Sequence, residues 1–124
     1  MSAPLILIIE DNALNRKLVR DVLQAKGYRT IETDTAEEGV RLAREQLPVL
    51  VLMDIQLPGM NGIDALGQLR ADPTTQAIPV IAVTASAMTQ NRQQIMAAGF
   101  DGYQPKPINV AAFLEAVRQT IERE

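Results

Sequence analysis

The sequence contains no cysteine and no histidine. Without cysteine the chain can form neither disulfide bonds nor thiolate metal sites. Without histidine it lacks the most common general base of enzymes and cannot carry a phosphohistidine of its own. Any metal site in this chain is therefore expected to consist of oxygen ligands alone.

Long apolar runs and basic stripes are also missing. The longest apolar run is much shorter than the roughly 20 residues that a membrane-spanning helix needs, and no basic region precedes the first apolar stretch. The 12 lysine and arginine residues are scattered along a chain of net charge −3. We therefore expect a soluble, cytoplasmic protein with no nucleic-acid partner and no membrane partner.

Apolar segments and helical patterns alternate along the 124 residues. Apolar runs bounded by turn residues predict strands at residues 5–9, 49–54 and 79–84, and weaker patterns predict strands at 28–33 and 101–104. A helical pattern follows each strand. Strict alternation predicts a parallel sheet covered by helices on both faces, and the length is too short for a closed eight-fold barrel. The predicted fold class is therefore α/β, an open, doubly wound sheet of five strands with five helices.

Capping residues and apolar periodicity define the predicted helices. Asn12 and Asn109 are expected to cap the first and last helices, and Thr35 and Glu38 to form a capping box at the start of the second. A short third helix is expected at residues 63–70, and the fourth helix, at about 88–98, carries one charged residue, which is typical of a surface and compatible with protein docking. The following residues are expected to face the core: Leu14, Leu18, Val19, Val22 and Leu23; Val40, Leu42, Ala43 and Leu47; Ile63, Leu66 and Leu69; Val110, Phe113, Leu114, Val117 and Ile121.

Charged and hydroxyl residues lie at the ends of four predicted strands. Glu10 and Asp11 follow the first strand, Asp54 ends the third, Thr84 ends the fourth and Lys106 follows the fifth. The carboxyl ends of parallel strands meet at one edge of a sheet, so these side chains should lie together. Three crowded carboxylates repel one another unless a hard cation joins them, and a small oxygen site suits Mg²⁺. For Asp54 alone, the simpler interpretation is a residue that solvates a strand end.

The same residues suffice for phosphoryl transfer. A carboxylate can act as a nucleophile and form an aspartyl phosphate, and the transfer otherwise needs mainly positioning and charge neutralisation. On this hypothesis Asp54 is the nucleophile. Mg²⁺ and Lys106 neutralise charge from two sides, and Thr84 donates a hydrogen bond to the attached group.

Four motifs occur in order on this strand pattern: Glu10-Asp11, Asp54 with Pro58-Gly59-Met60-Asn61-Gly62 after it, Thr84-Ala85, and Lys106-Pro107. Together they resemble the receiver domain of bacterial two-component response regulators, over residues 5–121. The stretches at 11–15 and 53–58 look especially similar to the stand-alone, cell-division-type receivers related to DivK. The resemblance implies a flavodoxin-like, CheY-like sheet of strand order 2-1-3-4-5.

The resemblance also implies an acceptor and a metal site. Asp54 would accept a phosphoryl group from a phosphohistidine on a sensor histidine kinase or a histidine phosphotransfer protein. Glu10, Asp11 and Asp54 would bind Mg²⁺ together with the backbone carbonyl of Gln56. Gln56 and Ser86 lie at positions that are thought to tune dephosphorylation in this family.

A switch is implied as well. Thr84 would move toward the phosphoryl group while Tyr103 turns inward. Lys106 would contact the phosphoryl group, and its peptide bond to Pro107 would be cis. A downstream protein target would bind the face formed by the fourth helix, the last strand and the last helix.

The resemblance further implies a single receiver domain over residues 1–124, with no output domain. Such a protein is not an enzyme beyond self-phosphotransfer and autodephosphorylation. Phosphorylation would change its affinity for protein partners, or the chain would relay the group onward. Recruitment to a cell pole is compatible with the DivK-like resemblance.

Two features depart from the family pattern: Pro105, and Gly102, which gives the last strand segment more conformational freedom than usual. Pro105 removes a backbone donor, so the last strand is expected to end early or to lie exposed there. The main alternative is a Mg²⁺-dependent phosphohydrolase, but such enzymes place an acidic residue two positions after the nucleophile, where this chain has Gln56. A flavodoxin-like nucleotide binder would need a phosphate loop, and residues 58–62 do not match the Walker pattern.

Overall fold

The computed structural model of the chain describes residues 3–85 and 89–122, without the side chains of residues 89–91. Strands and helices alternate strictly. The strands are β1 (Leu5–Ile9), β2 (Arg29–Thr33), β3 (Leu50–Asp54), β4 (Val80–Thr84) and β5 (Gly102–Pro105). The helices are α1 (Ala13–Ala25), α2 (Ala36–Gln46), α3 (Gly62–Ala71), α4 (Thr89–Ala97) and α5 (Val110–Glu122). The predicted helix start near residue 88 lies outside the described residues.

The five strands form one parallel sheet in the order β2-β1-β3-β4-β5. Every strand in the middle of the sheet is buried along nearly its whole length, because helices cover both faces. The predicted fold class and strand order are confirmed. Parallel pairing brings the carboxyl ends of all five strands to the same edge of the sheet.

The core has two layers, one on each face of the sheet. Successive side chains of a strand point to opposite faces, so Leu7 and Ile9 pack in one layer while Ile6 and Ile8 pack in the other. The first layer lies against α2, α3 and α4, and the second against α1 and α5. The site edge is thus supported from both sides by close-packed apolar side chains.

Polar side chains begin four of the helices. Asn12 and Asn109 cap α1 and α5, as predicted, and Asn61 caps α3, each with its side-chain oxygen accepting from a backbone N–H three residues on. Thr35 caps α2 by accepting from the N–H of Glu38 at 3.2 Å. The reciprocal half of the predicted capping box is absent among the described residues, because the Glu38 carboxylate pairs with Arg41 instead.

Five of the residues predicted to face the core are exposed instead: Leu14, Leu18, Leu47, Ile63 and Val110. In α1 the buried positions are Val19 and Leu23, and Leu18 lies about 100° around the helix from Val19, at the margin of that face. Leu47 follows the last turn of α2 in the left-handed conformation, with φ at 48°, which turns its side chain toward solvent. The predicted apolar faces were therefore too wide.

Pro105 lies within β5 rather than beyond its end, and it is exposed. The sequence predicts that the strand ends early or lies exposed at this residue, and its exposure confirms the second of these alternatives. The N–H of Lys106 donates to the carbonyl of Thr84 at 2.8 Å. Backbone N–H groups of successive strand residues point in opposite directions. Because the N–H of Lys106 points toward β4, the nitrogen of Pro105 points away from β4, toward the open edge of the sheet. The missing N–H of Pro105 therefore costs β4 no hydrogen bond.

Candidate functional site

The carboxyl ends of β1 and β3 bring three carboxylates together. Glu10 follows β1 and extends its pairing, since its N–H donates to the carbonyl of Thr33 at 3.0 Å. Asp54 is the last residue of β3. Glu10 and Asp54 are 4% and 5% exposed, whereas Asp11 lies on the surface. Each of the three offers a carboxylate oxygen within 4.8 Å of the others. The predicted convergence of these side chains is confirmed.

The ammonium group of Lys106 joins the two buried carboxylates. Its Nζ lies 2.8 Å from Oδ2 of Asp54 and also pairs with Oε1 of Glu10. The preceding strand β5 positions Lys106, because its backbone N–H is bonded to the end of β4. The peptide bond from Lys106 to Pro107 is cis, as predicted. One positive charge thus partly compensates two negative charges in a largely water-excluded site.

Burial changes the ionisation of this cluster. Burial of the Glu10 carboxyl raises its pKa to about 7, although hydrogen bonds from Lys106 and from the N–H of Asn12 oppose the rise and the nearby Asp54 adds to it. Burial alone would lower the pKa of Lys106, but its hydrogen bonds to Asp54 and Glu10 outweigh that effect and leave the pKa raised. The site therefore holds a firmly protonated ammonium beside a carboxyl that ionises near neutrality.

Backbone donors hold the outer oxygens of both buried carboxylates. Oε2 of Glu10 accepts from the N–H of Asn12 at 3.1 Å, and Oδ1 of Asp54 accepts from the N–H of Gln56 at 3.0 Å. The other oxygen of each carboxylate faces Lys106. Both side chains are consequently fixed in orientation, which prepares them to act on a common ligand without reorganising.

The turn after β3 approaches the start of α3 very closely. The N–H of Gly62 donates to the carbonyl of Ile55 at 3.0 Å. A Cβ atom on Gly62 would lie 2.7 Å from the carbonyl oxygen of Asp54 and 2.8 Å from Cα of Ile55. The first residue of a helix need not be glycine, so the position of Gly62 at the start of α3 does not by itself explain it. The close approach shows that Gly62 helps to place Asp54, a role that the sequence pattern did not reveal.

The two predicted switch residues lie on neighbouring strands. Thr84 ends β4 and is buried, and its partner in the β4–β5 register is Pro105. Tyr103 is half-buried on β5 and packs against the core layer that includes Ile95 of α4. The guanidinium of Arg92 lies 5.8 Å from the centre of the Tyr103 ring. Ser86, predicted to lie beside the site, falls outside the described residues.

The donor set fits a hard divalent cation. All three candidate ligands are carboxylates, and the chain has neither cysteine nor histidine to offer a thiolate or an imidazole. Two of the three are buried and carry one compensating ammonium between them. Carboxylate oxygens in a partly open site are the donors that Mg²⁺ prefers, with water completing its coordination.

Comparison with known families settles the classification. Residues 6–118 match the response regulator receiver domain. The chain belongs to this family. The receiver domain is 46% identical over 113 residues to the polar-differentiation response regulator DivK of Brucella ovis, and equally to that of Brucella melitensis. The alignment covers 91% of this chain and 92% of each relative. The predicted resemblance, including its DivK-like character, is confirmed.

Solved structures share the fold of this receiver domain. The receiver domain of the sensor histidine kinase PA1611 from Pseudomonas aeruginosa PAO1 matches with a TM-score of 0.90 and 31% identity, over 97% of this chain and 98% of that one. That structure has a magnesium ion coordinated in its active site cleft. The chemotaxis protein CheY4 of Vibrio cholerae matches with a TM-score of 0.88 at 21% identity, over 95% and 98% of the two chains, and supports the fold alone.

Among the described residues, every helix is too short or too polar to cross a lipid bilayer.

Near the site, Arg16 donates from Nη1 to the carbonyl of Glu10 at 2.8 Å. Sequence patterns missed this contact because Arg16 looks like one more charged residue on an amphipathic helix.

Proposed function

We propose that Asp54 accepts a phosphoryl group from a phosphohistidine of a partner protein in a Mg²⁺-dependent reaction. The phosphorylated chain would then change its affinity for a protein target, or pass the group onward. The observation that best supports this proposal is the cluster of three carboxylates with Lys106 bridging the two buried ones. Membership of the receiver family points to phosphodonor kinases or phosphotransfer proteins as partners in general.

The proposed step is a transfer between two proteins. A carboxylate oxygen of Asp54 attacks phosphorus, an O–P bond forms, and the P–N bond to the donor imidazole breaks with its electron pair remaining on nitrogen. The donor imidazole belongs to another molecule, since this chain contains no histidine. Asp54 is suited to the attack because the N–H of Gln56 and the ammonium of Lys106 fix both of its oxygens.

Charge neutralisation would come from two sides of the phosphoryl group. Mg²⁺, held by Glu10, Asp11, Asp54 and the backbone carbonyl of Gln56, would neutralise the negative charge of phosphoryl oxygens. Lys106 would supply a fixed positive charge through its ammonium, which lies 2.8 Å from Asp54. As the group becomes attached, this ammonium exchanges part of its interaction with the carboxylate for one with a phosphoryl oxygen.

Thr84 and Tyr103 would report the phosphorylation. We assign to the Thr84 hydroxyl a hydrogen bond to the attached group, and to Tyr103 an inward movement that follows it. Tyr103 contacts the core layer that α4 covers, so its movement would alter the face formed by α4, β5 and α5. Phosphorylation would then shift a pre-existing equilibrium between two conformations of that face, which a downstream protein would bind.

The phosphodonor would dock beside the acidic loop, the segment Glu10-Asp11 that follows β1. Leu14 lies in the first turn of α1, just after that loop, and is 79% exposed. Leu18, four residues further along α1, is also exposed, and residues four apart lie on the same helix face, so the two leucines form an apolar surface beside the site that favours contact with another protein. We therefore place the donor kinase or phosphotransfer protein against the start of α1, away from the α4–β5–α5 face.

The central test uses a small phosphodonor. The chain is incubated with acetyl phosphate and Mg²⁺, and its intact mass is measured. We expect one added phosphoryl group, lost on omission of Mg²⁺ with a chelator present and absent in Asp54→Asn. An unmodified wild-type mass, or equal modification of Asp54→Asn, would contradict the proposal.

Hydrolysis of the aspartyl phosphate is proposed to be the remaining activity of the chain. The decay of the phosphorylated mass over time measures autodephosphorylation directly. A phosphohydrolase acting on free phosphate monoesters is the rival function, and Gln56 is not an acid that could protonate a leaving group. Turnover of p-nitrophenyl phosphate by the wild-type chain, absent in Asp54→Asn, would favour that rival.

The DivK relatives, which are named polar-differentiation response regulators, support a proposal about the domain organisation and the cellular location of this chain. We propose that the chain acts as a single receiver domain, because the DivK relatives are matched over 92% of their own length, and that it is cytoplasmic with recruitment to a cell pole. A fluorescent fusion imaged in dividing cells tests the recruitment. Polar foci are expected for the wild type, and uniform fluorescence at all stages would contradict it.

A further inference from the structure

The loop that carries Glu10 and Asp11 is held by a side chain from α1. Nη1 of Arg16 donates to the backbone carbonyl of Glu10 at 2.8 Å. Arg16 lies in the first turns of α1, and helical side chains point back toward the helix N-terminus. The guanidinium thereby reaches over the loop and fixes the peptide plane that joins Glu10 to Asp11.

A strand on the far side anchors the same guanidinium. Oε1 of Glu32, on β2, lies 3.8 Å from Nε of Arg16 and 2.9 Å from Nη1 of Arg20. Both Arg16 and Glu32 are largely buried, with side-chain exposures of 22% and 29%. The planar guanidinium can thus donate to the Glu10 carbonyl while its Nε lies at ion-pair distance from the Glu32 carboxylate, an arrangement that a flexible ammonium reproduces less well.

We propose that Arg16 is a positioning residue for the acidic loop, Glu10-Asp11. It acts on the carbonyl of Glu10 and thereby directs the carboxylate of Asp11. This inference rests on the proposed Mg²⁺ site. Glu10 and Asp54 are fixed by burial and by Lys106, but Asp11 is exposed and depends on its backbone for direction. Without the Arg16 contact, the peptide between Glu10 and Asp11 can rotate. The Asp11 carboxylate, the third candidate ligand, then no longer points in one direction toward the site.

The sign of the effect separates positioning from simple electrostatics. A positive charge near the site opposes the approach of a divalent cation, so deleting it should tighten Mg²⁺ binding if charge alone matters. Loss of positioning weakens binding instead. Groups that orient metal ligands typically contribute about 10-fold or more to metal affinity.

The matched control is Arg20. Arg20→Ala removes a positive charge and a bond to the same Glu32 carboxylate, but the structure shows no contact of Arg20 with the Glu10 carbonyl. We expect Arg16→Ala to weaken Mg²⁺ binding about 10-fold in calorimetric titration with magnesium chloride, and Arg20→Ala to leave it unchanged or slightly tighter. Arg16→Lys, which keeps the charge, should lie between Arg16→Ala and the wild type.

A second readout needs no metal. With a chelator present, the backbone amides of the acidic loop should exchange hydrogen faster in Arg16→Ala than in Arg20→Ala. Urea unfolding should show that the two variants have the same global stability, so that the faster exchange reports the loop alone. Unchanged or tighter Mg²⁺ binding by Arg16→Ala, or equal weakening in Arg20→Ala, would overturn the inference. Wild-type protein that neither binds Mg²⁺ nor gains a phosphoryl group would instead refute the proposed function itself.

Discussion

At the residue scale, Lys106 is the most consequential side chain of the site. It lies between two buried carboxylates and makes both of their ionic contacts. A buried carboxylate that loses its partner is left with its desolvation cost uncompensated. The same residue is proposed to neutralise the incoming phosphoryl group, so its structural and chemical contributions must be measured separately.

Lys106→Ala should destabilise the chain in the absence of Mg²⁺. We expect a loss of about 2 kcal/mol in the free energy of unfolding at pH 8, the usual size for a bond to a buried charged group. Urea unfolding in a chelator measures it. Added Mg²⁺ should stabilise this variant more than the wild type, because the cation replaces the missing positive charge.

The control is Lys17→Ala, which removes an exposed pair with Asp21 and should cost less than about 1 kcal/mol. Equal losses in the two lysine variants would show that the buried position of Lys106 has no energetic importance.

The loss in Lys106→Ala should also depend on pH. The pKa of Glu10 is raised from its usual 4.5 to about 7 in the folded protein. The folded chain therefore binds a proton that the unfolded chain has released, and stability falls as pH rises through this range. Without the ammonium the ionised form costs more, so the difference from the wild type should be smaller at pH 6 than at pH 8. Urea unfolding of both proteins at the two pH values checks this, and a larger difference at pH 6 would contradict it.

At the element scale, the turn from β3 into α3 helps to place Asp54, the proposed phosphoryl acceptor. Gly62→Ala should displace the carbonyl of Asp54, since the added Cβ would lie 2.7 Å from that oxygen. We expect a loss of about 2 kcal/mol in unfolding free energy, typical of an overpacked site, and slower labelling by acetyl phosphate followed by intact mass.

Gly67→Ala in the same helix is the matched control for Gly62→Ala. A Cβ at residue 67 meets no heavy atom within 4 Å, so this variant should be about 0.5–1 kcal/mol more stable than the wild type. Its labelling rate should be unchanged. Gly62→Ala behaving like Gly67→Ala would show that the close approach is not required.

The elements were largely predictable from the sequence, and their contacts were not. Apolar runs and caps such as Asn12 and Asn109 are local signals, so the strands and helices followed from them, whereas the strand order followed from the resemblance to receiver domains. The exposure of Leu14 and Ile63 depends on how each helix is rotated against the sheet, which a local pattern leaves open. Gly62 and Arg16 act through contacts with backbone that the sequence alone does not place nearby.

At the scale of the whole molecule, Arg70 fastens the end of the sheet opposite the site. Its guanidinium donates to the carbonyls of Gln76 and Ile78 and to Oδ2 of Asp101, which also accepts from the N–H of Val80. These contacts join the end of α3 to the beginnings of β4 and β5. The amino ends of β4 and β5 are thereby held together independently of their carboxyl ends, which lie at the proposed site.

Arg70→Ala should therefore separate stability from function. We expect a loss of about 2 kcal/mol in urea unfolding, because several bonds to one charged group are lost together. Mg²⁺ affinity and labelling by acetyl phosphate should remain at wild-type values at 25 °C. Arg41→Ala, whose partners lie on the same exposed helix face, should change the unfolding free energy far less than Arg70→Ala does. A large fall in Mg²⁺ affinity in Arg70→Ala would show that the two ends of the sheet are coupled.

Pro105 has a consequence for association between molecules. β5 is an edge strand, and an edge with free N–H and C=O groups is a template on which a strand of another molecule can assemble into an aggregate. The nitrogen of Pro105 faces that open side and carries no hydrogen, so an incoming strand finds one donor missing at the end nearest the site. The proposed switch strand can thus remain uncovered for a partner while resisting intermolecular sheet growth.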